Sequence, residues 1–213
     1  MRKSTRGILA MNIFLSISHD TATGITCAIL LGCSSAQQAF VCEQLKELSN
    51  LAVHPLLLPI LFSGYQQFQI GRETELLWRD LVNVETKSGR TGAPVVRSDV
   101  HSMLNRENGD ITNAVLGIVQ LASYWESHTK GGVLGIESIQ KSIEEINKKT
   151  PDPRKSKMEE ISRILNESLT VSSHNSSVML WDLEFINKRA TAQMTAVSST
   201  TSLDLSIVSI PVV

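Results

Sequence analysis

The hydrophobic pattern changes period once along the chain. In residues 12–18, NIFLSIS, Ile13, Leu15 and Ile17 point one way, and Asn12, Phe14, Ser16 and Ser18 the other. Such alternation is that of a half-buried strand. HDTATG follows with the composition of a turn. ITCAILLGC (25–33) then reads as a second, more buried strand, so the pair predicts a β-hairpin. A hairpin alone is marginal in water and needs a helix or further strands to pack on. The nearest helical pattern is AQQAFVCEQLKELSNL (36–51), with Ser35 as its cap and Ala39, Phe40, Leu45 and Leu48 on its apolar face.

From His54 onward the period is helical. An apolar knot, Leu56 to Leu58 between Pro55 and Pro59, opens a long helix to Lys87, with Leu61, Tyr65, Phe68, Leu77, Leu81 and Val84 near one face. SGRTGAPVVRS (88–98) reads as a linker with Arg90 and Arg97 solvated, and it lacks the Lys-Ser/Thr pair of a phosphate loop. In the next helix, Ser98 to Glu126, Leu104, Ile111, Ile118 and Trp125 recur every seven residues, with Val115 and Ala122 between them. That spacing makes a coiled-coil-like seam. HTKGG (128–132) predicts its end, a basic residue followed by glycine. A shorter helix with Ile136, Ile139, Ile143 and Ile146 follows, and TPDPRKS (150–156) breaks the chain. The last pattern runs from Met158 through Leu165, Leu169, Ser172, Ser176, Met179, Leu183, Ile186 and Ala190 to Val197. Read straight it is a helix of about 40 residues, with polar TVSSHNSS (170–177) as the place to kink or open.

The expected fold class is therefore α+β, mainly α. A small N-terminal β-hairpin and helix region (1–52) precedes long antiparallel helices (53–197) and an irregular tail (198–213). The 213 residues are 42% hydrophobic but only 5% aromatic, so the core must be aliphatic. With 20 basic and 21 acidic residues, the chain lacks the clustered basic excess that marks nucleic-acid binding. The odd set Cys27, Cys33 and Cys42 fits a reducing compartment better than a disulfide framework. No apolar run approaches the roughly 20 residues of a membrane span. The start, MRKSTRGILAMNIFLSI, mimics a signal peptide without a small-x-small cleavage site, and reads better as a first strand.

Candidate chemistry is sparse. His19, His54, His101, His128 and His174 form no metal-ligand spacing, the cysteines have no C-x-x-C, and no nucleophile motif occurs. Glu73, Glu75 and Asp80 beside Trp78 read as a solvated helix face. The glycosylation-like triplets at Asn166 and Asn175 read as chance matches in helices. No acid–base pair can be assembled, so no enzyme is expected.

Three stretches in order, FLSISHDTATGITCAIL, HPLLLPILF leading through a long helix to Glu85-Thr86-Lys87-Ser88-Gly89, and WDLEFINKRATAQMTAV, carry a resemblance. They resemble the soluble N-terminal region of the fungal CorA-like magnesium transporter superfamily, in its uncharacterised branch. The resemblance covers most of residues 12–197, and its motifs are only moderately specific. It implies a small α/β region followed by long helices that assemble as a ring and sense divalent metal through carboxylates. The Gly-Met-Asn signature and the membrane helices of that family are absent here, and a chain without them cannot line a bilayer pore.

Two functions are expected on this basis. The first is a truncated or divergent non-enzymatic relative of that cytosolic domain: a helical self-association or regulatory module, cytoplasmic, meeting membranes only through partners. Those partners would be copies of itself or full-length channel subunits. It needs no cofactor, magnesium binding would be weak, and no pair among Glu144, Glu145, Glu159 and Glu160 stands out as ligands. The second is a helical adaptor that binds a partner helix through the seam Leu104, Ile111, Val115, Ile118 and Trp125, or through the 165–197 face.

Overall fold

The computed structural model describes residues 14–20, 22–88 and 104–207, the side chains of the last stretch over 110–196. The signal-like start, the linker with Arg90 and Arg97, and the final residues 208–213 lie outside the described residues. The chain is α+β, mainly α, with a two-stranded antiparallel hairpin and long antiparallel helices. In order come β1 (Phe14–His19), β2 (Thr26–Leu31), α1 (Ser35–Glu47), a 3-10 turn (Ser49–Leu51), α2 (Leu57–Lys87), α3 (Leu104–Lys149) and α4 (Lys155–Ile207). Two compact units result, Met1–Tyr65 with Gly135–Ser172, and Gln66–Leu134 with Ser173–Val213. They do not follow a boundary at residue 52, because each long helix supplies one segment to each core.

In the first unit, Phe14 pairs with Leu31 and His19 with Thr26. The Asp20 carboxylate turns the loop by accepting from the Ala22 N–H at 2.9 Å and the Thr23 hydroxyl at 2.7 Å. Gly24 takes φ +77°, and the Arg154 guanidinium, which donates to the Ala22 carbonyl, fills the place of any Cβ there. β1 alternates as expected, with Leu15 and Ile17 half-buried. β2 is less buried than expected, and Cys27, Ala28, Ile29 and Leu31 are exposed. Among the described residues the sheet stops at two strands, and nothing layers over its outer face.

The cap of α1 is Ser34, one residue before the expected Ser35. Its hydroxyl accepts from the Gln37 N–H at 3.3 Å while the Gln37 side chain accepts from the Ser34 N–H at 2.8 Å. That reciprocal box needs Gln37 three residues after the cap, which selects Ser34. Pro59 lies in the first turn of α2, where its missing N–H has no helical partner to lose. The core is aliphatic: Leu51, Leu57, Ile60, Ile136, Ile143, Ile161, Leu165 and Leu169.

In the second unit, α2 contributes Ile70, Leu77, Leu81 and Val84 to the core. They are joined by Ile111, Val115, Ile118, Ala122 and Trp125 of α3 and Leu183, Ile186 and Ala190 of α4. Phe68, expected on the inner face of α2, is 67% exposed, whereas Ile70 is 2% exposed. Continuing the 61–65–68 face would bury Arg72 and Glu75, so the inner stripe runs instead through Ile70, Thr74 and Leu77.

Two expected breaks are absent. HTKGG does not end α3, which continues as one helix of 46 residues. Buried Thr129 and Ile136 flank the glycines, and the Thr129 hydroxyl donates to the Trp125 carbonyl at 2.8 Å. Burial on both sides outweighs about 1 kcal/mol of helix propensity per glycine. Likewise α4 passes through TVSSHNSS as one helix of 53 residues. Ser176 is buried there because its hydroxyl accepts from the Gln67 amide at 2.8 Å, and Thr170 and Ser177 donate to carbonyls one turn back.

The register of α2 sets a direct test by urea unfolding. Ile70→Ala should cost about 2–4 kcal/mol, and Phe68→Ser no more than about 0.5 kcal/mol. Equal losses would restore the 61–65–68 face.

Candidate functional site

Among the described residues, three groups of side chains bear on function. The first is a buried polar relay in the first unit. His54 is held just before α2, with Ser162 on α4 and Asn147 on α3. The Leu56 N–H donates to His54 Nδ1 at 3.2 Å, so Nε2 carries the ring proton and donates to Ser162 Oγ at 3.2 Å. Ser162 in turn donates to Asn147 Oδ1 at 2.8 Å. The trio resembles a nucleophile triad in composition but runs the wrong way, since Ser162 gives its proton to an amide and His54 has no free acceptor for it. Burial, and to a lesser degree the nearby His19 charge, lowers the His54 pKa to about 4. The arrangement fixes the start of α2 to α3 and α4 within that unit.

The second group lies in the other unit. Arg189 of α4 grips Glu85 of α2 with two parallel hydrogen bonds, Nε to Oε1 at 3.0 Å and Nη2 to Oε2 at 2.5 Å. Glu85 is 3% exposed, and the guanidinium sits 5.2 Å from the Trp78 ring centre and 5.5 Å from that of Phe185. Phe185 stacks on Trp78 at 5.7 Å and on Trp181 at 6.1 Å. The three rings form a ladder that ends in solvent, Trp181 being 69% exposed, with Val82 and Val178 also exposed on these helices. Reading the sequence treated Trp78 only as part of a solvated acidic face, and missed Glu85 as a buried charge. The available signal was that Glu85 lies one helical turn beyond Leu81 on the buried stripe.

The third group is the expected partner seam. Ile111, Val115, Ile118 and Trp125 do come together, but inside the core of the second unit, at most 5% exposed. The side chain of Leu104, the first residue of α3, lies outside the described residues. The seam is thus taken up by the chain's own helices, because α2 and α4 supply the apolar surface that a partner helix would have supplied.

For metal, the carboxylates considered above do not converge. Glu144 and Glu159 line one shallow depression with Asn147, Lys148 and Lys155, and Lys149 approaches Glu145 at 3.9 Å. Among the described residues no group of three or more His, Cys, Asp or Glu is placed to hold an ion, and no helix is long and apolar enough to cross a membrane. No family model, curated protein or solved structure matches the chain.

Two outcomes follow from the polar groups. An unfolded histidine takes up a proton near pH 6.5 while folded His54 resists until about pH 4. The stability tied to His54 is therefore complete above pH 6.5 and lost as pH falls from there to about 4, by up to about 3 kcal/mol. The difference between the native chain and His54→Gln in urea midpoints across that range isolates this slope, and a pH-independent difference would exclude it. Second, Arg189→Ala leaves Glu85 buried and unpaired, at a cost of about 2–3 kcal/mol given the partial exposure of the arginine. The double change Glu85→Leu with Arg189→Met should regain most of that loss in the same assay.

Proposed function

We propose that the chain is a non-enzymatic helical module that acts by self-association, with the aromatic ladder of the second unit as its contact face. The observation that carries this reading is the placement of Trp78, Trp181 and Phe185. Three aromatic side chains stack on one another at the surface and are held in place from below by the Glu85–Arg189 pair. Rigid aromatic side chains with an arginine are the composition favoured at the centres of protein interfaces. The occupant is a second copy of this chain. Flanking charges alternate in sign, Glu75 with Arg79 and Glu184 with Lys188, and the whole chain carries a net charge of −1, so like-charge repulsion does not oppose pairing.

The module would be a divergent relative of the cytosolic region of CorA-like divalent-cation channels, regulatory and unable to transport by itself. Support for that kinship is the order of the three sequence stretches and the sequence of a hairpin followed by long helices. In a cell it would be cytoplasmic and would reach a membrane through full-length partners.

Size-exclusion chromatography with light scattering, with and without millimolar magnesium, tests both parts. The native chain should elute as an oligomer, and Trp181→Asp should shift it to the monomer with unchanged far-UV circular dichroism. A monomer at every concentration in both buffers would sink self-association. Assembly that responds to magnesium supports the channel kinship, and assembly blind to magnesium removes it while leaving the contact face.

A further inference from the structure

The two faces of the hairpin differ in burial. Paired residues of an antiparallel ladder lie on one face, so Leu15–Leu30, Ile17–Ala28 and His19–Thr26 share the inner face. Phe14–Leu31, Ser16–Ile29 and Ser18–Cys27 share the outer face. The inner face is half-buried apart from Ala28, whereas every outer position is exposed. Ile25, just before β2, continues the outer row. Phe14, Ile25, Ile29 and Leu31 are 69, 61, 63 and 60% exposed, which leaves about 400 Å² of apolar surface in one patch.

Charge, shape and area together point to what covers this face. β1 and β2 carry no Asp, Glu, Lys or Arg, no proline and no bulge, the devices that keep open sheets from pairing. A second copy therefore meets no like charge, and a foreign partner finds no charge to be selected by. The outer face is also uneven across its width. Ile25, Cys27, Ile29 and Leu31 form a mostly bulky row on the β2 side, and Ser16 and Ser18 a shallow row on the β1 side. A two-fold axis parallel to the strands lays β2 of each copy over β1 of the other. Ile29 then fills the gap above Ser16 of the second copy, twice over, and Phe14 meets Leu31 of the second copy at the rim. The patch is smaller than the roughly 800 Å² per partner of a standard interface, so the contact is weak and reversible.

We infer that the outer face of the hairpin is an interaction surface for a second copy of this chain, the two hairpins stacking face to face as a four-stranded sandwich. A two-stranded hairpin is marginal by itself, and the stack supplies its missing layer. The dissociation constant is on the order of tens of micromolar, so the contact is silent at the low micromolar concentrations of chromatography. The inference does not rest on the aromatic ladder, which belongs to the other unit.

Two native thiols test it. Cys27 lies on the outer face beside Ser18, and Cys42 is exposed on α1 as an internal control. Alkylation by iodoacetamide is followed at each cysteine by mass spectrometry, on the full-length Trp181→Asp chain so that the ladder contributes no contact. Between about 5 and 500 µM protein, the Cys27 rate should fall about fivefold while the Cys42 rate stays constant. Ile29→Asp, at an exposed position, should hold Cys27 at its fast rate throughout. Ser16→Phe adds apolar surface but closes the gap, so it too should keep Cys27 fast, and Ile29→Ala added to it should restore the slowing. Several outcomes would each overturn the inference: Cys27 fast at both concentrations, Cys27 slow at both because the chain covers its own face, Cys27 slowing in step with Cys42, or slowing that Ile29→Asp leaves in place or Ser16→Phe deepens, as for an indiscriminate apolar contact.

Discussion

Burial along α3 and α4 recurs at steps of four and three residues or of their sum, seven, and the rest of the chain accommodates that repeat. On α3 it runs Ile111, Val115, Ile118, Ala122, Trp125, Thr129 and on to Ile136 and Ile143. On α4 it runs Met158, Ser162, Leu165, Leu169, Ser176, Leu183, Ile186 and Ala190. A 3.5-residue period keeps one stripe of a helix facing its neighbours over many turns, which a 3.6-residue period does not. The stripe includes serine and threonine without interruption, provided that each hydroxyl finds an acceptor or donor. α2 obeys the same constraint when it turns Phe68 outward and Ile70 inward.

The polar members of the stripe supply what aliphatic packing lacks. Leucine and isoleucine stripes would tolerate slipping by a heptad, since one apolar knob resembles the next. Gln67 with Ser176, His54 with Ser162 and Asn147, and Glu85 with Arg189 each fit at one register only. A slipped helix would leave these groups buried without partners, at a cost larger than a hydrogen bond contributes. Specificity thus rests on a few satisfied polar contacts, and adhesion on the aliphatic majority.

Much of this was legible in the sequence because periodicity reports burial directly. The alternation that sets Leu15 and Ile17 against Phe14, Ser16 and Ser18 is the face of β1, and the pattern from Met158 to Ala190 matches the buried stripe of α4 nearly position by position. What propensity suggested locally was overruled by packing at a distance. The glycines after Thr129 and the serines after Leu169 looked like stops, yet the apolar repeat resumed beyond them in phase, and phase outweighed composition. The candidate site was less legible. A seam and a partner face look identical in sequence, so Ile111, Val115 and Ile118 could not declare that α2 and α4 would cover them. Glu85 and Arg189 are 104 residues apart, and nothing local marks them as a pair.

All three tryptophans, Trp78, Trp125 and Trp181, belong to the second unit, while the first holds Tyr65 as its nearest optical substitute. Their surroundings differ, from the sealed interior at Trp125, through the cationic stack at Trp78, to open water at Trp181. Emission from this protein therefore reads one half of the molecule in three colours and is nearly silent about the other. A melting curve followed by tryptophan fluorescence would be a curve for Gln66–Leu134 with Ser173–Val213, whereas ellipticity would weigh both halves. Any gap between the two curves would measure how far the cores unfold as separate bodies.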